Sequence, residues 1–467
     1  MSRASHSVAM AGALDRAAQE HLLRPDGQED VCFGLWNPST GRSRLTALIA
    51  QLVLPLAGER SVHGNVSFEP SFLERSLSLA AALNMGLVLL HSHPCGRQWQ
   101  GMSRDDIETE KGIAGAVFGA TGVPLVGLTL AGDGAWSGRF WTRTAPRTYE
   151  RQDCATVRVV ADDFRITYFD KLAPPAAPNG QQVRTIAAWG ERSQSVLARL
   201  RVGIVGSGSV GAMVGEALAR TGLEDIMVID FDRIEEHNLD RLAYAMEADI
   251  SRLKVEVMAE HLAARATAKP FRIEPIIGAI YDEAAFRAAL DCDILFSCVD
   301  RPWGRHVLNL IAYAHLIPVI DGGISVRMNR LLRLSGADWK ALTASAGKQC
   351  LQCAQQYDPG LVQMEREGFL HDSSYIEGLP PEHPLKARQN VFAFSMGCAN
   401  LQVLQMMAMV LSPLDQPYPG TQVYHFVGNT MDEPRFESCG PECQFPALVA
   451  SGDTMGVEAL STTPKEN

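Results

Sequence analysis

Cysteine is scarce in this sequence, with ten in 467 residues. That is too thin for a disulfide scaffold, and four of the ten fall into two close pairs that look like metal ligands. The expected compartment is therefore the reducing cytoplasm. Basic charge is also in short supply: Lys and Arg total 42 against 53 Asp and Glu, for a formal net charge of -11. Nucleic-acid binding draws on clustered Lys and Arg, so a polyanionic partner is not expected. The N-terminal stretch MSRASHSVAMAGALDRAAQEHLL has no uninterrupted apolar core of the signal-peptide kind, and no run elsewhere reads as a bilayer span. Low-complexity tracts and internal repeats are missing as well. What is present, 46% hydrophobic and 20% charged residues, is enough to bury real cores, and the length favours two to three domains.

The organisation is α/β throughout. Residues Leu14 to Leu23 carry apolar groups at helical spacing and end at Pro25, after which VCFGLW reads as a strand with Glu29 just ahead of it. A helix is predicted over Ser71 to Leu83, a buried strand over GLVLLH (86–91), a helix from near Ser103, and a further strand at VGLTL. The stretch APPAAPNG, residues 173–180, is the clearest linker signal. Beyond it RVGIVG, IMVID, ILFSCVD and IPVIDGG are apolar strands alternating with helical segments, the pattern of a parallel sheet covered on both faces. The expected division is a domain over 1–150, a linker with flanking strands over 151–183, a second domain over 184–450 and a polar tail over 451–467.

In the first half, His91-Ser92-His93-Pro94 is followed by Ser103 and Asp106 at the head of the next helix. Two histidines at i and i+2 on a strand point to the same side and can share one metal. A carboxylate from a helix start completes three protein ligands and leaves the fourth position for water. HSHPCGRQWQGMSRDD resembles the motif of the JAMM (Mov34/MPN/PAD-1) metallopeptidases, H-x-H-P, a spacer, then S-x-x-D, with a distant Glu upstream. The resemblance implies a cytidine-deaminase-like α/β/α domain in which His91, His93 and Asp106 hold catalytic zinc. Ser103 would help stabilise the oxyanion and a glutamate would serve as general acid/base. Glu29 is the first choice for that glutamate, with Glu69 and Glu74 as competitors.

In the second half, Gly206-x-Gly208-x-x-Gly211 follows a strand and opens a helix, so that backbone N–H groups can approach phosphates. Asp230 and Asp232 at the end of the next strand suit a ribose, whether of NAD, FAD or ATP. Further on stand Asn238, Arg241 and Lys254, then Asp300 after Ser297-Cys298-Val299. Adenylation needs cationic groups converging on a phosphate chain because pyrophosphate must leave with its charge compensated. These residues resemble the ThiF/MoeB and ubiquitin-activating family over roughly Arg184 to Cys443. The resemblance implies a Rossmann-like doubly wound domain using ATP with Mg2+. The aspartates would hold the ribose, Asn238, Arg241 and Lys254 would neutralise the triphosphate, and Asp300 would bind magnesium. Arg184 on a short N-terminal helix would reach the nucleotide of a partner subunit, which implies a homodimer.

Cys350-x-x-Cys353 and Cys439-x-x-x-Cys443 supply four thiolates for structural zinc. Between Cys353 and Val391, where relatives carry a catalytic cysteine, this chain has none, and Cys398 reads as a packing residue in an apolar helix. The joint expectation is adenylation of the C-terminus of a ubiquitin-like or sulfur-carrier protein, with a zinc peptidase that processes or removes it. A conjugating enzyme or sulfur donor would take up the activated carrier. The alternatives are an NAD-dependent oxidoreductase with an appended zinc domain, or an inactive scaffold.

Overall fold

The computed structural model describes residues 5–63, 65–331, 333–369, 390–413, 418–433 and 435–455. The chain divides into two compact units. The first comprises Met1–Pro174 with Ala314–Leu316 and Leu448–Met455, and the second comprises the rest.

The first unit is built on one nine-stranded sheet. Its elements run β1 (Ser5–Ala11), α1 (Gly12–Leu22), β2 (Val31–Thr40), β3 (Arg44–Val53), a small hairpin of β4 (Arg60–His63) and β5 (Asn65–Phe68), α2 (Pro70–Ala82) and β6 (Gly86–His93). There follow α3 (Arg104–Thr121), β7 (Leu125–Ala131), β8 (Trp136–Ala145), β9 (Thr148–Asp153), β10 (Thr156–Val160) and β11 (Phe164–Tyr168). The strand order is β11-β10-β1-β3-β2-β6-β7-β8-β9, so the hairpin stands apart. Strict alternation sorts the side chains. Cys32, Trp36, Val88 and Leu90 enter one core, while Val31, Phe33, Leu35, Leu87 and Leu89 enter the other with Phe72 of α2 and Ala114 and Val117 of α3. His91 and His93 continue the odd-numbered row of Leu87 and Leu89, toward the face on which α2 and α3 pack.

Three features differ from the sequence reading. Strands β10 and β11 fall where strands flanking the linker were expected, but they belong to the first unit's sheet, in which β10 pairs in parallel with β1 and antiparallel with β11. At the other end, residues 451–455 are no free tail. Asn37 Nδ2 donates to Ala450 O (3.0 Å) and the Thr40 N–H to Asp453 Oδ2 (3.0 Å), while Gly452 (φ +56°) lies so close to Pro38 O that a Cβ would stand 2.2 Å from it. A third difference is a helix, Phe392–Leu411, that by length and composition alone could cross a membrane. It is the one such helix among the described residues, and 56% of its apolar window is buried within the protein, as for a core helix.

The second unit contains α4 (Val183–Ala198), β12 (Arg201–Val205), α5 (Ser209–Thr221), β13 (Asp225–Asp230), α6 (Lys254–Arg265), β14 (Arg272–Ile277), α7 (Glu283–Ala289), β15 (Ile294–Ser297) and α8 (Pro302–Ala314). After these come β16 (Val319–Met328), β17 (Leu334–Ala344), α9 (Pro359–Arg366), α10 (Phe392–Leu411), β18 (Gln422–His425) and β19 (Thr430–Met431). Strands order as β14-β13-β12-β15-β16-β17-β18-β19, parallel through β16 and antiparallel beyond it. The chain moves outward from β12 in one direction and resumes at β15 on the other side. The crevice between the ends of β12 and β15 is therefore the topological switch point, where doubly wound sheets bind ligands.

Candidate active sites

In the first unit, β6 delivers both histidines and α3 delivers the carboxylate. Ser103 caps α3: its Oγ accepts from the Asp106 N–H (3.1 Å) and Asp106 Oδ2 accepts from the Ser103 N–H (2.7 Å). That box fixes the Asp106 carboxylate, whose oxygens lie 3.7 Å from His91 Nε2 and 3.5 Å from His93 Nε2. Tetrahedral zinc with bonds of about 2.0–2.1 Å would put its ligands roughly 3.3 Å apart, so the donor set fits the ion with small adjustment. Glu29 Oε1 stands 4.0 Å from His93 Nε2. Glu69 stands at the N-cap position of α2 without a side-chain cap and Glu74 lies within the helix, and neither forms an ion pair with these histidines.

The electrostatics of the cluster suit a cation. Burial, with Arg139 behind it, lowers His91 to about 4. His93 is raised by its hydrogen bond to Asp106. Burial alone would raise Asp106, but His93, His91 and the Ser103 N–H hold it well below the usual carboxylate range. Half-burial pushes Glu29 up against the pull of His93, a direction suited to a group that takes and gives a proton near neutrality.

Several supporting residues carried no signal in the motif. Ser92, between the histidines, accepts the Asp30 N–H (3.0 Å) and donates to Leu22 O (2.7 Å), which ties the backbone beside Glu29 to β6. Asp30 is buried, with Arg60 Nη1 of β4 3.0 Å away and Arg24 Nη1 at 3.5 Å. Thr129 Oγ1 lies 3.3 Å from His91 Nε2 and accepts from Arg139 Nη1 (2.6 Å). Arg139 in turn pairs with the fully buried Glu110, which also accepts Trp141 Nε1 (2.7 Å). The spacer between the two halves of the motif is pinned by Trp99 stacked on Phe169 (4.9 Å between centroids) and by the Gln100 N–H on Ser137 Oγ (2.5 Å).

In the second unit, the glycine loop turns at the switch point. Gly206 has φ +96°, and a Cβ there would stand 2.5 Å from Cys298 O, so the loop lies directly against the exit of β15 that leads to Asp300. A Cβ on Gly211 would stand 2.0 Å from Gly206 O, whereas Gly208 faces open space, as close approach of a phosphate requires. Gly208 is the N-cap of α5, which has neither a side-chain cap nor an acidic residue in its first turn.

The acidic residues divide their labour. Asp230 accepts from Ser207 N (2.6 Å), Ser207 Oγ (2.8 Å) and Asp232 N (2.9 Å), so its carboxylate braces the loop. Asp232 is the more exposed of the two and accepts Lys254 Nζ at 2.7 Å. Asn238 Oδ1 caps the turn before it by accepting the Glu235 N–H (3.1 Å), and Arg241 donates to His237 O (2.6 Å) and Asp240 (3.0 Å). Arg184 is exposed on α4 and Asp300 is exposed past β15. Sequence reasoning missed Tyr244, whose hydroxyl donates to Ser207 O (2.7 Å), and the pair Arg305 and Asp321 (3.1 Å), with Asp321 buried and also bound by Ser297 Oγ (2.5 Å).

The four cysteines Cys350, Cys353, Cys439 and Cys443 do converge, with donor atoms within 4.8 Å of one another. Cys439 Sγ accepts the Cys350 N–H (3.2 Å) and Cys350 Sγ the Cys353 N–H (3.3 Å), contacts that stabilise thiolates. Four thiols held this way fit structural zinc. Cys398 is buried, and its thiol is pushed up to about 12 by burial. Of the cysteine-free crossover, residues 370–389 lie outside the described residues.

A profile of the ThiF family matches residues 180–445, more than half of the chain. The chain belongs to the ThiF family. Among curated relatives, it is 28% identical over 166 residues to the molybdopterin-synthase adenylyltransferase of Escherichia coli, covering 34% of this chain and 60% of that one. It is 27% identical over 135 residues to the SAMP-activating enzyme E1 of Haloferax volcanii, covering 29% and 49%. The chain thus spans less than two thirds of the length of these relatives. The E. coli MccB structure with ATP aligns at a TM-score of 0.44 and 18% identity, over 58% of this chain and 75% of that one. In this ThiF-family member the matched segment holds the glycine loop, Asp230, Asp232, Lys254, Asp300 and all four clustered cysteines.

Proposed function

We propose that the ThiF unit adenylates the C-terminal carboxylate of a ubiquitin-like or sulfur-carrier protein, and that the first unit is a JAMM-type zinc isopeptidase acting at that terminus. The observation that carries the first half is the pairing of Lys254 with Asp232 beside an uncapped helix N-terminus at the switch point of a ThiF-family sheet. A carboxylate oxygen of the carrier attacks the α-phosphorus of ATP, the bond to the bridging oxygen breaks, and pyrophosphate leaves. Lys254, released from Asp232, and Arg241 offset the charge of the leaving group, while the loop N–H groups hold the phosphates. Asp300 would hold magnesium. The molybdopterin and SAMP relatives, whose names describe adenylylation and carrier activation, support this substrate class.

For the first unit, the support is the matched donor geometry of His91, His93 and Asp106 with Glu29 beside it. Zinc bound there would supply an acidified water. Glu29 would take that water's proton and return it to the leaving amine, and the Ser103 hydroxyl, which accepts a backbone N–H and retains its own hydrogen, would donate to the oxyanion. We extend the reading to a cytoplasmic homodimer in which Arg184 serves the partner's nucleotide.

Two measurements test this. Carrier-dependent exchange of labelled pyrophosphate into ATP is expected, and preferential binding of NAD would overturn the adenylation reading. Metal analysis is expected to give two zinc ions per chain, falling to one in Asp106→Ala. A content unchanged by that substitution removes the isopeptidase site.

A further inference from the structure

The described chain resumes at Asn390, directly ahead of α10, and its first polar contact is with the nucleotide loop. Asn390 Nδ2 donates to Ser209 Oγ (2.8 Å), and Ser395 Oγ lies 2.9 Å from Ser209 Oγ and 3.1 Å from Asn390 Oδ1. Ser209 is the first residue of α5, immediately after Gly208. Three side chains from two helix starts thus form a closed ring. Asn390 donates to Ser209 Oγ, and Ser395 Oγ, with one hydrogen to give, donates to Ser209 Oγ or to Asn390 Oδ1. That leaves the second Nδ2 hydrogen of Asn390 without an acceptor among the described residues.

Both helix starts are electropositive. Val391, the N-cap of α10, provides no side-chain cap, and neither α10 nor α5 has an acidic residue in its first turn. Each contributes partial positive charge and unsatisfied N–H groups, and the ring brings the two together beside the open space at Gly208.

We propose that Asn390 is a phosphate-contacting residue of the nucleotide site, presented by α10 and aimed by Ser209 and Ser395. The inference rests on the adenylation reading. Asn390 offers a neutral donor where α5 alone would offer only backbone, and it makes the polyphosphate the link between the glycine loop and the start of α10.

The test is equilibrium binding of ATP and of adenosine to the full chain, wild type against Asn390→Ala and Asn390→Asp. A hydrogen bond to a charged group is worth enough that Asn390→Ala should weaken ATP by about tenfold while adenosine binding stays within about twofold. Asn390→Asp is nearly the same size and puts a negative charge at the same place, so it should weaken ATP by about a hundredfold or more, again sparing adenosine. Retained adenosine binding also shows that the variants are folded. Equal losses for the two ligands, or unchanged ATP binding, overturn the proposal. If the wild type binds no ATP, the adenylation reading has failed first.

Discussion

Gly211 has no room for a side chain, because the carbonyl oxygen of Gly206 occupies the place where a Cβ would go. A backbone atom cannot move aside cheaply, so Gly211→Ala is expected to open the turn that presents the loop N–H groups. Pyrophosphate exchange should fall by at least about tenfold, with the melting temperature reduced by a few degrees, as for a 1–3 kcal/mol overpacking penalty. A second residue-scale expectation concerns His425, which bridges Asp338 (2.7 Å) and Asp432 (3.1 Å), themselves paired with Arg327 and Arg435. The hydrogen bond to Asp338, with help from Asp432, raises its pKa. A raised histidine stabilises the fold fully below its unfolded value near 6.5 and loses that contribution as pH rises through the folded value. The gap in melting temperature between wild type and His425→Gln should therefore be widest below pH 6 and close at higher pH. Of the candidate site residues, those that make motifs were legible: His91, His93, Asp106 and the three glycines each stand at a recognisable spacing. Asp30, Thr129, Arg139 and Asn390 were not, because their roles depend on strand register and on contacts between residues distant in sequence. Arg139, a charged residue in the apolar strand segment SGRFW, was the one visible hint.

At the scale of elements, the proposed metal site of the first unit depends on a spacer anchored from both sides. Trp99 stacks on Phe169 and Gln100 holds Ser137, so the excursion after Pro94 returns to Ser103 with α3 correctly started. Trp99→Ala should leave the four-cysteine zinc in place and lower occupancy of the His91 site, read as metal content between one and two ions per chain at limiting zinc. Full occupancy with unaltered affinity would show the spacer to be passive. The individual strands and helices could be read from alternation and from helical spacing, since both report local burial. That β10 and β11 belong to the first unit's sheet could not, because β10 pairs with β1, more than a hundred residues earlier, and β11 joins the sheet through β10.

For the whole molecule, the order of pieces along the chain differs from their order in space. A fragment ending at residue 150 lacks β10, β11 and Phe169, and is expected to be insoluble or unfolded, whereas one extended to Pro174 retains the sheet. Deleting everything after Ala447 keeps all four clustered cysteines but removes the partner of the buried Asn37 amide. The first unit should then melt roughly 2–10 °C lower, as expected for loss of a buried hydrogen bond, with the second unit's transition unaffected. Differential scanning calorimetry resolves the two transitions, and an unchanged first transition would show that residues 448–455 contribute nothing to it.

The return of residues 448–455 to the first unit also sets a timetable for the newborn chain. The first unit's sheet leaves the ribosome early, yet its last segment waits for the 273 residues that lie between Pro174 and Leu448. At ordinary elongation rates of about 5–20 residues per second, that is a delay of roughly 14–55 seconds. Through that interval the strand edge around Asn37 is unfinished and open to chaperones and proteases. A transcript cut short anywhere in the second unit would therefore release a first unit that never completes, and quality control acting on that edge would remove it.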